Sequence, residues 1–97
     1  MAIVSFESKE IENFYNTGKV PKKAGWGNIK KVALRKLDMI EYAVKLQDLK
    51  VPPNNRLEKL SGDLSGLYSI RVNDQWRIVF SWTTKGALNV RIIDYHK

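Results

Sequence analysis

Arg71 and Arg77 stand on either side of a short polar break, Asn73-Asp74-Gln75, inside a stretch where apolar and polar residues alternate, and the chain closes on Asp94-Tyr95-His96-Lys97. Those residue types suit cleavage of an RNA phosphodiester. Attack by a ribose 2′-hydroxyl requires a base for that hydroxyl, a proton donor for the departing 5′ oxygen, and cations for the charge that gathers on the phosphate oxygens. Guanidinium groups meet the last need with a planar fork of donors that matches phosphate. Tyr95 or His96 could move the protons, the imidazole because its ordinary pKa of about 6.5 lies near neutrality, and Asp94 stands beside them. Glu58 and Lys59 precede the alternating stretch and offer a further proton acceptor and a further phosphate contact. With no cysteine and one histidine, neither a thiolate nor a multi-histidine metal site can be assembled, and the chemistry is expected to need no metal or other cofactor. Each group also has a plainer use: arginines on a solvated sheet face, a loop ion pair, a solubilising tail.

These side chains can cooperate only if the strands that carry them pair in the right register. Tyr68, Ile70 and Val72 alternate with Leu67, Ser69, Arg71 and Asn73, then Trp76, Ile78, Phe80 and Trp82 with Gln75, Arg77, Val79 and Ser81, and finally Leu88, Val90 and Ile92 with Asn89, Arg91 and Ile93. Three half-buried strands follow. Pairing Val72 with Trp76 around Asn73, Asp74 and Gln75 sets Ile70 opposite Ile78 and Arg71 opposite Arg77. Like charges in that position weaken a sheet unless an anion is shared between them, and such an anion would lie on the open face. A second hairpin, turning through Thr83 to Ala87, is expected to pair Trp82 with Leu88, which brings Gln75 opposite Tyr95 and leaves Arg77 diagonal to it. Trp76, Trp82, Tyr68 and Phe80 run in phase with Ile70, Ile78 and Val90, so they are expected in the core rather than on a base-stacking platform.

Upstream, Ala2 to Phe6 reads as a short strand leading to a helix capped by Ser8, favoured by Glu10 and Glu12 and stopped at Gly18. After a basic connector with Pro21, Gly25 and Gly27, Ile29, Ala33, Leu37, Ile40 and Val44 form one apolar stripe, which predicts a second helix from about Asn28 to about Gln47 before Pro52-Pro53. The element order β-α-α-β-β-β makes this an α+β chain with two helices packed on one face of an antiparallel sheet, a single domain over 1–97.

Charge adds a partner class. The chain carries 17 Lys and Arg against 10 Asp and Glu, a net charge of +7, which favours anionic partners. From Lys19 to Lys36 the basic residues Lys19, Lys22, Lys23, Lys30, Lys31, Arg35 and Lys36 occur without an acidic one, so the positive field is segregated. Lys22, Lys23, Lys30, Lys31 and Arg35 are suited to holding an RNA backbone; a solubilising face is their ordinary use. The opening Met-Ala-Ile-Val-Ser-Phe has no basic run before an apolar one and no apolar stretch is long enough to span a bilayer, so a cytosolic chain without membrane contact is expected.

The stretch Arg56-Leu-Glu-Lys-Leu-Ser-Gly-Asp-Leu, followed by Tyr68-Ser-Ile-Arg-Val-Asn-Asp-Gln-Trp-Arg-Ile-Val-Phe and closed by Ile93-Asp-Tyr-His, resembles the HigB branch of the RelE/ParE toxin superfamily, and within it the GraT-type toxins of pseudomonads. Ile3-Val-Ser-Phe, Phe14-Tyr15 and Thr17-Gly18-Lys19 fit the same pattern. The resemblance implies a RelE-like fold and a type II toxin: a ribosome-dependent, metal-free endoribonuclease that cuts messenger RNA in the A site. It also implies a HigA-like helix-turn-helix antitoxin as partner, through which alone the complex would meet operator DNA. By the same resemblance Arg77 would stabilise the transition-state phosphate, Asp94, Tyr95 and His96 would lie at the scissile nucleotide, and Gln75 would sit close by; Arg71 joins them from the register argument. The chain departs from the pattern at Glu58 and Ser61, where well-studied members tend to carry histidine and lysine, and Lys59 could replace the amine. A ParE-like inhibitor of DNA gyrase on the same fold and a non-catalytic RNA-binding module are the competing readings.

Overall fold

The computed structural model describes residues 2–95. Helix α1 (Lys9–Thr17) begins where the Ser8 hydroxyl accepts from the Ile11 amide and ends at Gly18, whose φ of 80° lets its N–H reach the Phe14 carbonyl. It buries Ile11 and Phe14, and the Phe14 ring meets Trp26 edge-on at 4.6 Å. Helix α2 (Lys30–Tyr42), preceded by a 3-10 turn at Gly27–Ile29, turns Ala33, Leu37 and Ile40 to the core.

The second helix is shorter than its apolar stripe predicts. Ala43 is extended, and the Asp48 carboxylate accepts from the amides of Val44 and Lys45 at 2.9 and 3.1 Å, opening a separate 3-10 turn at Leu46–Lys50. A carboxylate that collects two amides competes directly with the helical ladder, and those two hydrogen bonds hold the Asp48 carboxyl below the usual carboxylate pKa. Val44, expected in the stripe, is therefore 89% exposed.

The sheet runs β1 (Glu58–Lys59), β2 (Tyr68–Arg71), β3 (Trp76–Thr83) and β4 (Gly86–Asp94), in that order and antiparallel throughout. Strand β1 lies in what reads from sequence as a loop. Tyr68, Ile70, Val72, Trp76, Ile78 and Phe80 face the helices and join the core with Leu37, Ile40 and Val90; Trp82 packs against it too. By the alternation of the pleat, Ser69, Arg71, Arg77 and Val79 share the other face.

Two features of the edge differ from expectation. The first segment is not a regular strand: it makes isolated parallel bridges, Ile3 with Ala87 and Phe6 with Val90, along β4. The interruption coincides with a bulge in β4 near Asn89, which has a φ of 55° and gives its amide to the Ser5 hydroxyl instead of to a ladder. Because of that bulge Trp82 pairs with Ala87, and Leu88 with Ser81, rather than Trp82 with Leu88, and the turn tightens to Thr84 and Lys85. Below the bulge the expected register returns. Gly86 cannot carry a side chain here, since its φ is 126° and an added Cβ would sit 2.1 Å from the Ala2 carbonyl oxygen.

Candidate active site

The hairpin that carries the arginines is fixed by Asn73. Its side-chain oxygen accepts from the amides of Gln75 and Trp76 at 2.9 and 2.8 Å, while the Val72 amide bonds the Trp76 carbonyl. Arg71 and Arg77 are consequently Cα partners, as the register argument expects. The face they share is not open: Val79 and Ser69 are fully buried and Arg77 is only 6% exposed. The two guanidinium groups also have different partners, since Arg71 is paired with Asp74 in its own turn.

Arg77 is the hub. Its Nη1 donates to the Ser69 hydroxyl at 2.6 Å and to the Arg56 carbonyl at 3.2 Å, and lies 2.9 Å from the Glu58 carboxylate. The guanidinium carbon sits 4.8 Å from the centre of the Tyr95 ring, within cation–π range. Tyr95 reaches that position because its amide bonds the Gln75 carbonyl at 2.7 Å, extending the β3–β4 pairing one residue past the strand. Glu58 and Tyr95 remain accessible, with 49% of the Glu58 side chain and 44% of Tyr95 exposed.

Between them opens a cleft of about 280 Å³ lined by Glu58, Lys59, Leu60, Ser61, Leu64 and Tyr95. Glu58, Lys59 and Tyr95 thus share one concavity, and Arg77, which does not line it, touches two of the lining side chains, Glu58 and Tyr95. Asp94 takes a different place: it is the Cα partner of Trp76, and its carboxylate accepts from the Gln75 side-chain amide at 3.0 Å. His96 lies outside the described residues. Among the described residues no group of histidine, aspartate and glutamate has the spacing to hold a metal ion.

The basic residues of the connector and α2 divide. Lys22, Lys23, Lys30, Lys31 and Arg35 are exposed on the helical layer, with Lys31 and Arg35 one turn apart. Lys36 is 3% exposed and donates to the buried Asn55, whose amide bonds the Leu49 and Val51 carbonyls. Burial first, and then the Arg35 and Arg71 charges, lower its pKa from the usual 10.5.

Sequence reasoning missed Ser69 and the Arg56 carbonyl. The signal for Ser69 was present, because the register that faces Arg71 with Arg77 also sets Ser69 diagonal to Arg77. Nothing local points to the Arg56 carbonyl, which reaches Arg77 from a residue with a φ of 47° that follows a 3-10 turn at Pro53–Asn55.

Comparison with known proteins adds relatives to this geometry. A family model described as the RelE-like toxin of type II toxin–antitoxin system HigB matches residues 4–96. Toxin HigB-1 of Vibrio cholerae is 39% identical over 97% of this chain and 97% of its own length. A Haemophilus influenzae protein without an assigned role is 36% identical over 88% of this chain and 83% of its own. Among solved structures, YoeB in a YoeB–YefM complex from Staphylococcus aureus superimposes with a TM-score of 0.61 at 20% identity, over 100% of this chain and 98% of that one. YafQ from E. coli does so with a TM-score of 0.53 at 19% identity, over 96% and 91%. At those identities the structural likeness is one of fold, two helices on an antiparallel sheet.

Proposed function

The chain belongs to the HigB-like toxins, RelE-like toxins of type II toxin–antitoxin systems, and from that membership we propose that it is an endoribonuclease that cuts messenger RNA in the ribosomal A site and so halts translation. The observation that carries the proposal is the contact of an anchored guanidinium, Arg77, with two side chains that line one cleft, the accessible carboxylate of Glu58 and the accessible phenol of Tyr95.

In this reading the 2′-hydroxyl loses its proton and attacks the adjacent phosphorus, the bond to the 5′ oxygen breaks, and that oxygen takes a proton. The products are a 2′,3′-cyclic phosphate and a free 5′-hydroxyl. Arg77 faces the phosphate oxygens as their charge rises. Glu58, Tyr95 and His96 share the proton transfers; Lys59 and Gln75 hold neighbouring phosphates, with Asp94 orienting the Gln75 amide through the 3.0 Å bond. Arg71 joins the grip by exchanging Asp74 for phosphate. No step requires a metal ion.

Lys22, Lys23, Lys30, Lys31 and Arg35 provide sequence-independent attachment to the ribosomal or messenger backbone. The partner that restrains the toxin is a HigA-like helix-turn-helix antitoxin, through which the complex would reach operator DNA, and the site of action is the cytoplasm. No helix among the described residues is long and apolar enough to cross a membrane. A cell-free translation reaction tests the reading: message truncated at A-site codons supports it, whereas intact message together with blocked DNA supercoiling would favour gyrase inhibition.

A further inference from the structure

Three oxygen atoms crowd one nitrogen of Arg77. The Ser69 hydroxyl, the Arg56 carbonyl and the Glu58 carboxylate all approach Nη1, at 2.6, 3.2 and 2.9 Å. An Nη carries two hydrogens in the guanidinium plane, and the hydroxyl and the carbonyl accept them. The other edge, Nε and Nη2, has no acceptor among the described residues. No buried side-chain nitrogen or oxygen among them lacks a partner, so that edge reaches solvent even though Arg77 as a whole is 6% exposed.

Ser69 is the unexpected member. It is fully buried in β2 opposite Val79, a position where a β-branched apolar side chain would pack better and where a hydroxyl without a partner is costly. The hydrogen bond recorded for its side chain is the one from Arg77. Without that hydroxyl, the remaining side-chain acceptor on Nη1 is Glu58, which is half exposed on the short β1 and draws the guanidinium toward the cleft mouth.

We infer that Ser69 is a positioning residue: its buried hydroxyl grips Nη1 so that the opposite edge of the Arg77 guanidinium is presented to the scissile phosphate. The inference rests on the nuclease reading above. It gives each side of the guanidinium one task, with the Nη1 end held by the sheet, one face against Tyr95, and the Nε–Nη2 edge left for substrate.

The test combines kinetics with a spectroscopic readout that does not depend on cleavage. Single-turnover cleavage of ribosome-bound message is measured for the wild type, Ser69→Ala, Ser69→Thr, Arg77→Ala and the Ser69→Ala/Arg77→Ala double variant. The Arg77 guanidinium is followed in parallel by NMR of the nitrogen-15-labelled protein. Ser69→Ala is expected to slow cleavage by about 10- to 100-fold, the scale of a small misplacement of a catalytic group, without weakening ribosome binding. Ser69→Thr, which keeps the hydroxyl, should recover most of the rate. The double variant should be no slower than Arg77→Ala, because the two residues act as one unit. The wild type should show slow rotation of the Arg77 guanidinium, with distinct Nη signals that average in Ser69→Ala. A cleaving wild type with an unchanged Ser69→Ala rate and an unaltered Arg77 spectrum overturns the role of Ser69 alone. A wild type that cleaves nothing overturns the nuclease reading and the positioning role with it.

Discussion

The guanidinium carbon of Arg77 lies 4.8 Å from the centre of the Tyr95 ring, so the last described residue of the chain covers one face of the most heavily partnered cation in the sheet. The contact follows from backbone register: Trp76 pairs with Asp94, Gln75 meets Tyr95 through a 2.7 Å bond, and Arg77 is the diagonal neighbour on the same face. The ring and the hydroxyl of Tyr95 can therefore be tested separately.

Tyr95→Phe keeps the ring against Arg77 and removes the proton. It should leave ribosome affinity within about twofold and slow cleavage by about 10- to 100-fold, a modest share of what general acid–base catalysis contributes. Tyr95→Ala should lose both. Equal rates for Tyr95→Phe and the wild type would confine Tyr95 to stacking.

The exposed cations of the helical layer make a different prediction. Replacing Lys30, Lys31 or Arg35 singly by alanine should weaken ribosome binding regardless of the codon presented. Each replacement should also reduce the slope of log affinity against log salt by about one. A variant with lower affinity but an unaltered salt slope would show that its side chain does not touch phosphate.

The sheet edge is sensitive at Gly86. Gly86→Ala puts a Cβ 2.1 Å from the Ala2 carbonyl oxygen at a φ of 126°, so the first segment has to leave β4. We expect a loss of about 1–3 kcal/mol in chemical denaturation, and faster hydrogen exchange at the Ala87 and Val90 amides, which bond the Ala2 and Ser5 carbonyls. Unchanged exchange at both amides would mean that the edge yields elsewhere.

Lys36 predicts a pH dependence of stability. Its pKa in the folded chain is lowered from 10.5 by burial and by Arg35 and Arg71, so below the lowered value folding carries the cost of a buried ammonium. That cost disappears as the pH rises from the lowered value to 10.5, because in this window the unfolded chain binds more protons than the folded one. The stability of the wild type relative to Lys36→Met should therefore increase with pH as 10.5 is approached. A difference that stays flat would show that the ammonium is adequately solvated or paired by Asn55 at every pH.

Much of the site-bearing half of the fold was legible because a strict two-residue alternation and an Asn-initiated turn leave one register for β2 and β3. The same alternation failed at the far end of β4, where Asn89 adopts a left-handed backbone that asparagine tolerates but does not demand, and the register slipped by one. In α2 the apolar stripe extends to Val44 by spacing alone, and helical spacing says nothing of Asp48, whose carboxylate takes the Val44 and Lys45 amides. Lys36 belongs to the acid-free basic run by sequence, yet Ala33, Leu37 and Ile40 surround its position on the helix, so its burial is readable from the spacing. Arg71 facing Arg77 was correct as register, yet register does not specify rotamers, and Asp74 draws the Arg71 side chain into its own turn. The Glu58–Arg77 pair depends on a two-residue strand too short to carry a periodic signal.

That Arg77 faces a phosphate is tested most directly by primer extension on message from cells making the wild type or Arg77→Ala. The wild type should produce new 5′ ends within translated reading frames. Arg77→Ala, made in equal amount and still folded, should reduce them by about 100-fold or more, the scale seen when a transition-state donor is removed. The same cuts at the same frequency from Arg77→Ala, or growth arrest by the wild type with its messages intact, would contradict it.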